Sequence, residues 1–355
     1  MAKVNRASDE EGNLEDPQTE GEKAFAPAVR LEWVDVVRGI AILDMIGLQI
    51  FDVLSKHNIY TDPPYYFASL GWVLPIPPPV LFTFVAGMSV FLLINKLQEQ
   101  KAKGIIPGVI KRYGIYVLIS LPFTWFMWNL STYLHWEEAI QGIGLTAIFL
   151  SLILLAKPKN SHILAMVFGF AALQAVLFYF TKNLVINPLI DVLLNALVRG
   201  WFAVVNLLPL MLGGVLFFKF IKSGKPLKGS LALATVFLVT GIVLHLAGLQ
   251  IDYYGRSFAF SLFAVGLAAL ITLSVFYIWK KLPSVNWRPF VAFGQASFAV
   301  YVGHYLLILK PAQIFGVKDT MPDWLAFLFM IALVTAVYFA TEVYLHYKSS
   351  LKKFA

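Results

Sequence analysis

Apolar residues gather along this chain into ten long runs, at residues 34–54, 72–95, 112–129, 138–156, 162–181, 201–221, 230–250, 258–279, 290–310 and 324–347. Each is close to the roughly 20 residues that cross a bilayer core as a helix. Charged residues and prolines cluster between the runs. The pattern predicts an all-α fold, a polytopic transmembrane helical bundle of about ten spans, within a range of nine to eleven. Residues 183–200 form a less continuous stretch that suits a further short or re-entrant helix. The first 29 residues differ in kind: Asp, Glu, Asn, Gln and Ser prevail there, and large apolar residues are scarce. They read as a disordered cytoplasmic tail before one transmembrane domain over 30–355. No basic stretch leads into a short apolar core within that tail, so the first span is the expected insertion signal.

The first run departs from the apolar rule. Asp35 and Arg38 stand three apart, on one face of a helix, where it enters the bilayer. At about 100° per residue, Asp35, Arg38, Gln49 and Asp52 share an arc of roughly 100°, and Asp44 points the other way. Charges at such depth are costly and mark either a helix-locking ion pair or a working site. A stripe of this kind faces a cavity or another helix rather than lipid.

The whole chain is 59% hydrophobic, only 14% charged and carries a mean hydropathy of +0.73. It has no cysteine, which excludes disulfides, thiolate metal sites and a cysteine nucleophile. The net charge of +8 is set by loop asymmetry rather than by a nucleic-acid surface. Loops after even-numbered spans, together with the C-terminal tail, hold 17 Lys and Arg, against six in the opposite loops. The positive-inside rule therefore puts both termini in the cytoplasm of a multi-pass protein, with the plasma membrane as the expected location.

Three further places break the pattern. The loop Ser55–Tyr66 follows the first span on the outer side and contains His57, whose side chain can exchange a proton near neutral pH. Pro75, Pro77, Pro78 and Pro79 precede a helix with Gly87 and Ser89, which allow close approach of a neighbour. In the ninth span, Ser297-Phe298-Ala299-Val300-Tyr301-Val302-Gly303-His304 puts a histidine about midway across the membrane. A membrane histidine either bridges helices or handles protons. No phosphate-binding glycine loop, H-E-x-x-H site or G-x-S-x-G elbow occurs. No metal is expected.

Taken in order, these segments resemble a known family. Arg30-Leu31 with Asp35, Arg38, Gly39, Ile40 and Ala41 resembles the opening of the heparan-alpha-glucosaminide N-acetyltransferase family of membrane acyltransferases. Residues 79–91 are similar to its F-P-x-F-x-F-x-x-G-x-S-x-F helix. Residues 140–145 resemble its L-Q-R-I-G-L segment, with Gly142 in place of the arginine. Leu208-Pro209-Leu210-Met211-Leu212-Gly213-Gly214 fits a later proline-and-glycine helix, and residues 297–304 resemble the S-L-x-x-Y-x-x-H close. The family's H-x-x-W-x-G-x-T-x-x-D loop is not matched here, and Gln49 stands where the family has a polar residue, usually Asn.

The resemblance implies acyl transfer from a cytoplasmic co-substrate, acetyl-CoA or another acyl-CoA, to a glycan, amine or lipid acceptor at the far face. Carried onto this chain, it makes His57 the catalytic base, with Gln49 beside it and His304 as the competing base. Topology places Arg38, Lys111 and Arg112 at the cytoplasmic level, where they would meet CoA phosphates, with Asp35 orienting Arg38. The expected partners are membrane lipid and a small-molecule or glycan acceptor, not nucleic acid. A transporter or flippase for lipid or a small solute, a catalytically silent subunit of a membrane complex, and a homodimer all remain open.

Overall fold

The protein is described here by a computed structural model, covering residues 31–56, 78–99, 104–127, 138–184, 187–200, 202–223, 226–251 and 257–354. The expected N-terminal tail, Arg30 and His57 lie outside the described residues. Among the described residues the fold is helical throughout, with one isolated bridge between Ser55 and Met321. In chain order the helices are α1 (Glu32–Leu54), α2 (Pro78–Glu99), α3 (Ile105–Met127), α4 (Ala139–Leu155) and α5 (Asn160–Thr181). There follow α6 (Pro188–Leu194), α7 (Val204–Lys222), α8 (Pro226–Leu246), α9 (Phe258–Lys281), α10 (Arg288–Gln295), α11 (Ser297–His304), α12 (Lys310–Ile314) and α13 (Asp323–Phe354). Single π-turns, Asn195–Arg199 and Tyr305–Leu309, extend α6 and α11.

The expected count of ten spans is not confirmed. Among the described residues, seven helices are long and apolar enough to cross a membrane, or eight if the broken pair α10 and α11 is one span. Two predicted spans fall short for separate reasons. Every 18-residue stretch of α1 holds at least three charged side chains, and α4 is only 17 residues long. Polarity in α1 is tolerated because the helix is buried on nearly every side, against α2, α9, α10, α11 and α13. The anticipated short helix in 183–200 is α6 with its π-turn.

The prolines that open α2 sit where a helix accepts them, whereas Pro122 and Pro209 lie inside α3 and α7. Pro78 and Pro79 occupy the first turn of α2, whose amides have no intrahelical acceptor. α7 is the second buried hub, packed against α2, α4, α5, α8 and α9. Glycines bring these hubs together. A Cβ on Gly87 would strike the Met211 backbone, and one on Gly214 the Phe84 carbonyl. Likewise Gly39 lies against the Phe290 carbonyl, and Gly294 against that of Asp35. Removing the side chain at such contacts lets backbones approach closely, the usual basis of helix association in lipid.

The predicted ninth span, 290–310, is not one straight helix. It breaks at Ala296, and the pieces meet at 79°. The first piece lies along the start of α1. The second swings across the far half of the bundle and carries His304 inward.

Polar ties sort into two ends. Lys219 Nζ donates to the Pro158 carbonyl (3.1 Å), and Arg288 pairs with Glu342 (2.5 Å), at the lysine-rich end. Lys310 Nζ donates to the Met127 carbonyl (3.1 Å), and Ser55 Oγ to Asp323 (2.6 Å), at the other. If the lysine-rich end is cytoplasmic, a single cysteine at Lys157 will react only with membrane-permeant thiol reagents. One at Lys318 will react with impermeant reagents in intact cells. The native chain adds no background, having no cysteine. The converse labelling would invert the orientation.

Candidate functional site

The polar stripe of α1 makes two stations. Near its start, Arg38 Nη1 donates to Asp35 Oδ1 (2.8 Å) and to the Gly294 carbonyl (3.3 Å), and Nη2 to Ser89 Oγ (2.7 Å). Asp35 is buried and the Arg38 side chain is 21% exposed. One guanidinium thus ties α1 to α2 and to the end of α10. Lys111 and Arg112 stand at the opening of the third apolar run in the sequence. α3 begins at Ile105, so both lie within its first turns, and both are exposed. α2, whose Ser89 holds Arg38, ends at Glu99, and α3 begins at Ile105. The three expected basic residues therefore lie toward one end of the bundle.

The second station lies eleven residues further along α1, about 17 Å at 1.5 Å per residue. Here Gln49 Oε1 meets His304 Nε2 at 2.7 Å, and Gln49 Nε2 donates to the Tyr305 hydroxyl at 2.6 Å. Two residues that the sequence put forward separately, 255 positions apart, are thereby joined. His304 Nδ1 lies 3.2 Å from the Val300 carbonyl, one turn back on its own helix. An imidazole N–H at Nε2 suits the amide as placed, and one at Nδ1 suits Val300. A half-turn of the Gln49 amide presents its NH2 instead, so the pair can hold the ring in either tautomer.

The network continues where sequence reasoning did not follow it. The Tyr305 and Tyr301 hydroxyls share a hydrogen bond, and Tyr301 donates to Glu138. Glu138 also caps α4, accepting from the Ala139 amide at 3.1 Å. His304, Tyr301, Tyr305 and Glu138 are all buried. Phe123 closes the aromatic side, with ring centres 5.6 Å from Tyr305 and 6.3 Å from Tyr301. The available signal was spacing: Tyr301, His304 and Tyr305 recur at three and four residues, one helical face. Glu138 signalled only a helix start.

Asp35 does not join His304; it belongs to the first station. Asp52, further along α1, is partly buried, and Asp44 is buried on another face. Gly142, where an arginine was expected, is explained locally. A Cβ there would strike the Phe202 carbonyl, so no side chain fits.

A family model described as heparan-alpha-glucosaminide N-acetyltransferase, catalytic, matches residues 30–223. The match spans 194 of 355 residues (223 − 30 + 1), more than half of the chain. It takes in Arg38, Gln49, Lys111, Arg112 and Glu138, and it ends before Tyr301 and His304. No curated protein matches the chain.

Proposed function

The chain belongs to the heparan-alpha-glucosaminide N-acetyltransferase catalytic family, and from that premise we propose that it moves an acyl group from cytoplasmic acyl-CoA to an amine, glycan or lipid acceptor. The observation that carries this reading is the Gln49–His304 hydrogen bond, which holds an imidazole inside the bundle beside the polar stripe of α1.

Acyl transfer from a thioester requires an acceptor freed of its proton and a donor for the developing oxyanion. The acceptor heteroatom attacks the thioester carbon while a base takes its proton. The C–S bond then breaks, and the departing thiolate collects a proton. His304 is one base within the network, and His57 is the second, proposed from the family loop. Gln49 has two amide hydrogens and gives one to Tyr305, so the other can serve an oxyanion. Glu138, through the two tyrosines, holds the far end of the chain in place.

Lys111 and Arg112 are suited to CoA phosphates, being basic, exposed and near the start of α3, toward the Arg38 end of the bundle. Arg38 is a poor probe of donor binding, because removing it also strands buried Asp35. The cleaner variant is Lys111→Ala/Arg112→Ala. It should weaken acetyl-CoA binding about three- to tenfold per site, in the range of partly screened charged contacts, with folding unaffected. Binding of labelled acetyl-CoA to the purified full chain, and its transfer to glucosamine, simple amines and lipid acceptors, tests the reading directly. Binding without transfer points to a silent subunit. Neither binding nor transfer, with solute movement in vesicles, points to a carrier instead.

A further inference from the structure

Asp44 is 7% exposed in the middle of α1, and among the described residues neither carboxyl oxygen has a hydrogen-bond partner. Its surroundings follow from register. α1 runs antiparallel to α2 and α9. Arg38 donates to Ser89, so six residues along α1 bring Asp44 level with Thr83 of α2. Trp33 packs edge-on to Phe276 with ring centres 5.1 Å apart, so eleven residues bring Asp44 level with Val265 of α9. The two counts agree: Val265 and Phe84, next to Thr83, are the residues that flank Gly213. Eleven residues also turn the helix to within about 20° of its starting direction. Asp44 therefore shares the face of Trp33, toward α9, about 120° away from Arg38. At that level α9 contributes Val265, Ala268 and Ala269, all buried and apolar.

The Thr83 hydroxyl, buried and without a hydrogen-bond partner among the described residues, is the polar group at this level, and one hydroxyl falls short of the hydration an ionised carboxylate gives up, a cost far above that of a neutral acid. A metal cation would need several oxygen ligands together. Among the described residues no group of three His, Cys, Asp or Glu side chains could hold one. The charge-neutralising partner that fits without further ligands is a proton.

We propose that Asp44 is an intramembrane proton-binding site, occupied in this packing, and that it is selectively open to apolar reagents for carboxylic acids. The site lies on a different face of α1 from the Gln49–His304 network, and the proposal does not depend on acyl transfer. Its occupant charges the α1–α9 interface when it leaves, so loss of the proton and separation of these two helices are linked.

Dicyclohexylcarbodiimide reads the protonated acid. The acid O–H adds across one C=N bond, with oxygen joining carbon and the proton going to nitrogen. Acyl migration from oxygen to nitrogen then gives a stable N-acylurea, and nothing leaves. The purified full chain, in detergent and in vesicles, should gain one adduct on the peptide holding Asp44, and Asp44→Asn should lose it. A charged, water-soluble carbodiimide with an amine should instead mark exposed carboxylates such as Asp319, whose side chain is 57% exposed, and leave Asp44 unmarked. Thermal unfolding supplies a reading independent of reagent access. Asn is neutral and nearly isosteric, so the midpoint of Asp44→Asn should equal or exceed that of the native chain. A lowered midpoint, together with stabilisation of the native chain by Na⁺ or K⁺ that the variant lacks, would show an ionised side chain with a bound cation and overturn the proposal. Failure of Asp44 to react in the native protein, with reaction restored after denaturation in acid, would overturn it equally.

Discussion

Replacing His304 by Ala should lower acyl transfer by about 10²–10⁴-fold, the range usual for a lost acid–base group, with acyl-CoA binding retained. The split follows from the two stations of α1. Lys111 and Arg112, proposed to meet the donor, lie toward the Arg38 end of the bundle, and Arg38 is about 17 Å along the helix from Gln49. Loss of the imidazole therefore leaves the Arg38 ties to Asp35, Ser89 and Gly294 untouched. His57→Ala makes the decisive comparison. A large loss there with near-native turnover in His304→Ala would assign the base to the loop and reduce His304 to a helix bridge. Near-native turnover in both, in an assay where the native chain works, would remove histidine catalysis altogether. Gln49→Ala should resemble His304→Ala, because one amide orients the imidazole and Tyr305 together.

Much of this arrangement could be read from residue spacing, and its gaps have physical causes. The stripe on α1 was legible because a helix repeats every 3.6 residues, so Arg38 and Gln49 share a side whatever surrounds them. Their partners were not legible. Gly294 meets Arg38 only because Gly39 and Gly294 let α1 and α10 come close, and Ser89 meets it across the α1–α2 contact, 51 residues away in sequence. His304 reaches Gln49 only because the chain turns by 79° at Ala296, which no local pattern in an apolar run announces. Glu138, Tyr301 and Tyr305 escaped for another reason. Tyrosines in a membrane helix resemble ordinary core or interface residues, and Glu138 also has a sufficient role as a helix cap. The span count is not confirmed where hydropathy is a poor guide. α1 is too charged to pass as a lipid-facing helix and is instead almost enclosed by protein. Lys111 and Arg112 sit two turns inside the helix rather than at its edge, because α3 starts seven residues before its apolar run.

Gly39→Val should be the most damaging single change, since it acts at the contact on which both stations depend. A Cβ at Gly39 would run into the Phe290 carbonyl, which is backbone and cannot rotate away. α10 must then retreat from α1. Overpacking of a tight core costs roughly 1–3 kcal/mol and sometimes more, and here the shift also strains further ties. The Gly294 carbonyl would move off Arg38, and α11, which follows α10 after the bend, would draw His304 away from Gln49. The expected result is a lower unfolding midpoint and turnover reduced beyond what the remaining folded fraction explains. Gly303→Ala is the matching control, one residue from His304. No heavy atom lies within 4 Å of a Cβ placed there. Gly303 lies inside α11, where Ala favours the helix by about 0.5–1 kcal/mol. Gly303→Ala should therefore fold and turn over like the native chain. If Gly303→Ala were crippled and Gly39→Val tolerated, the α1–α10 contact could not be what seats the imidazole, and the space beside Gly303 would have to be filled by something the reaction needs.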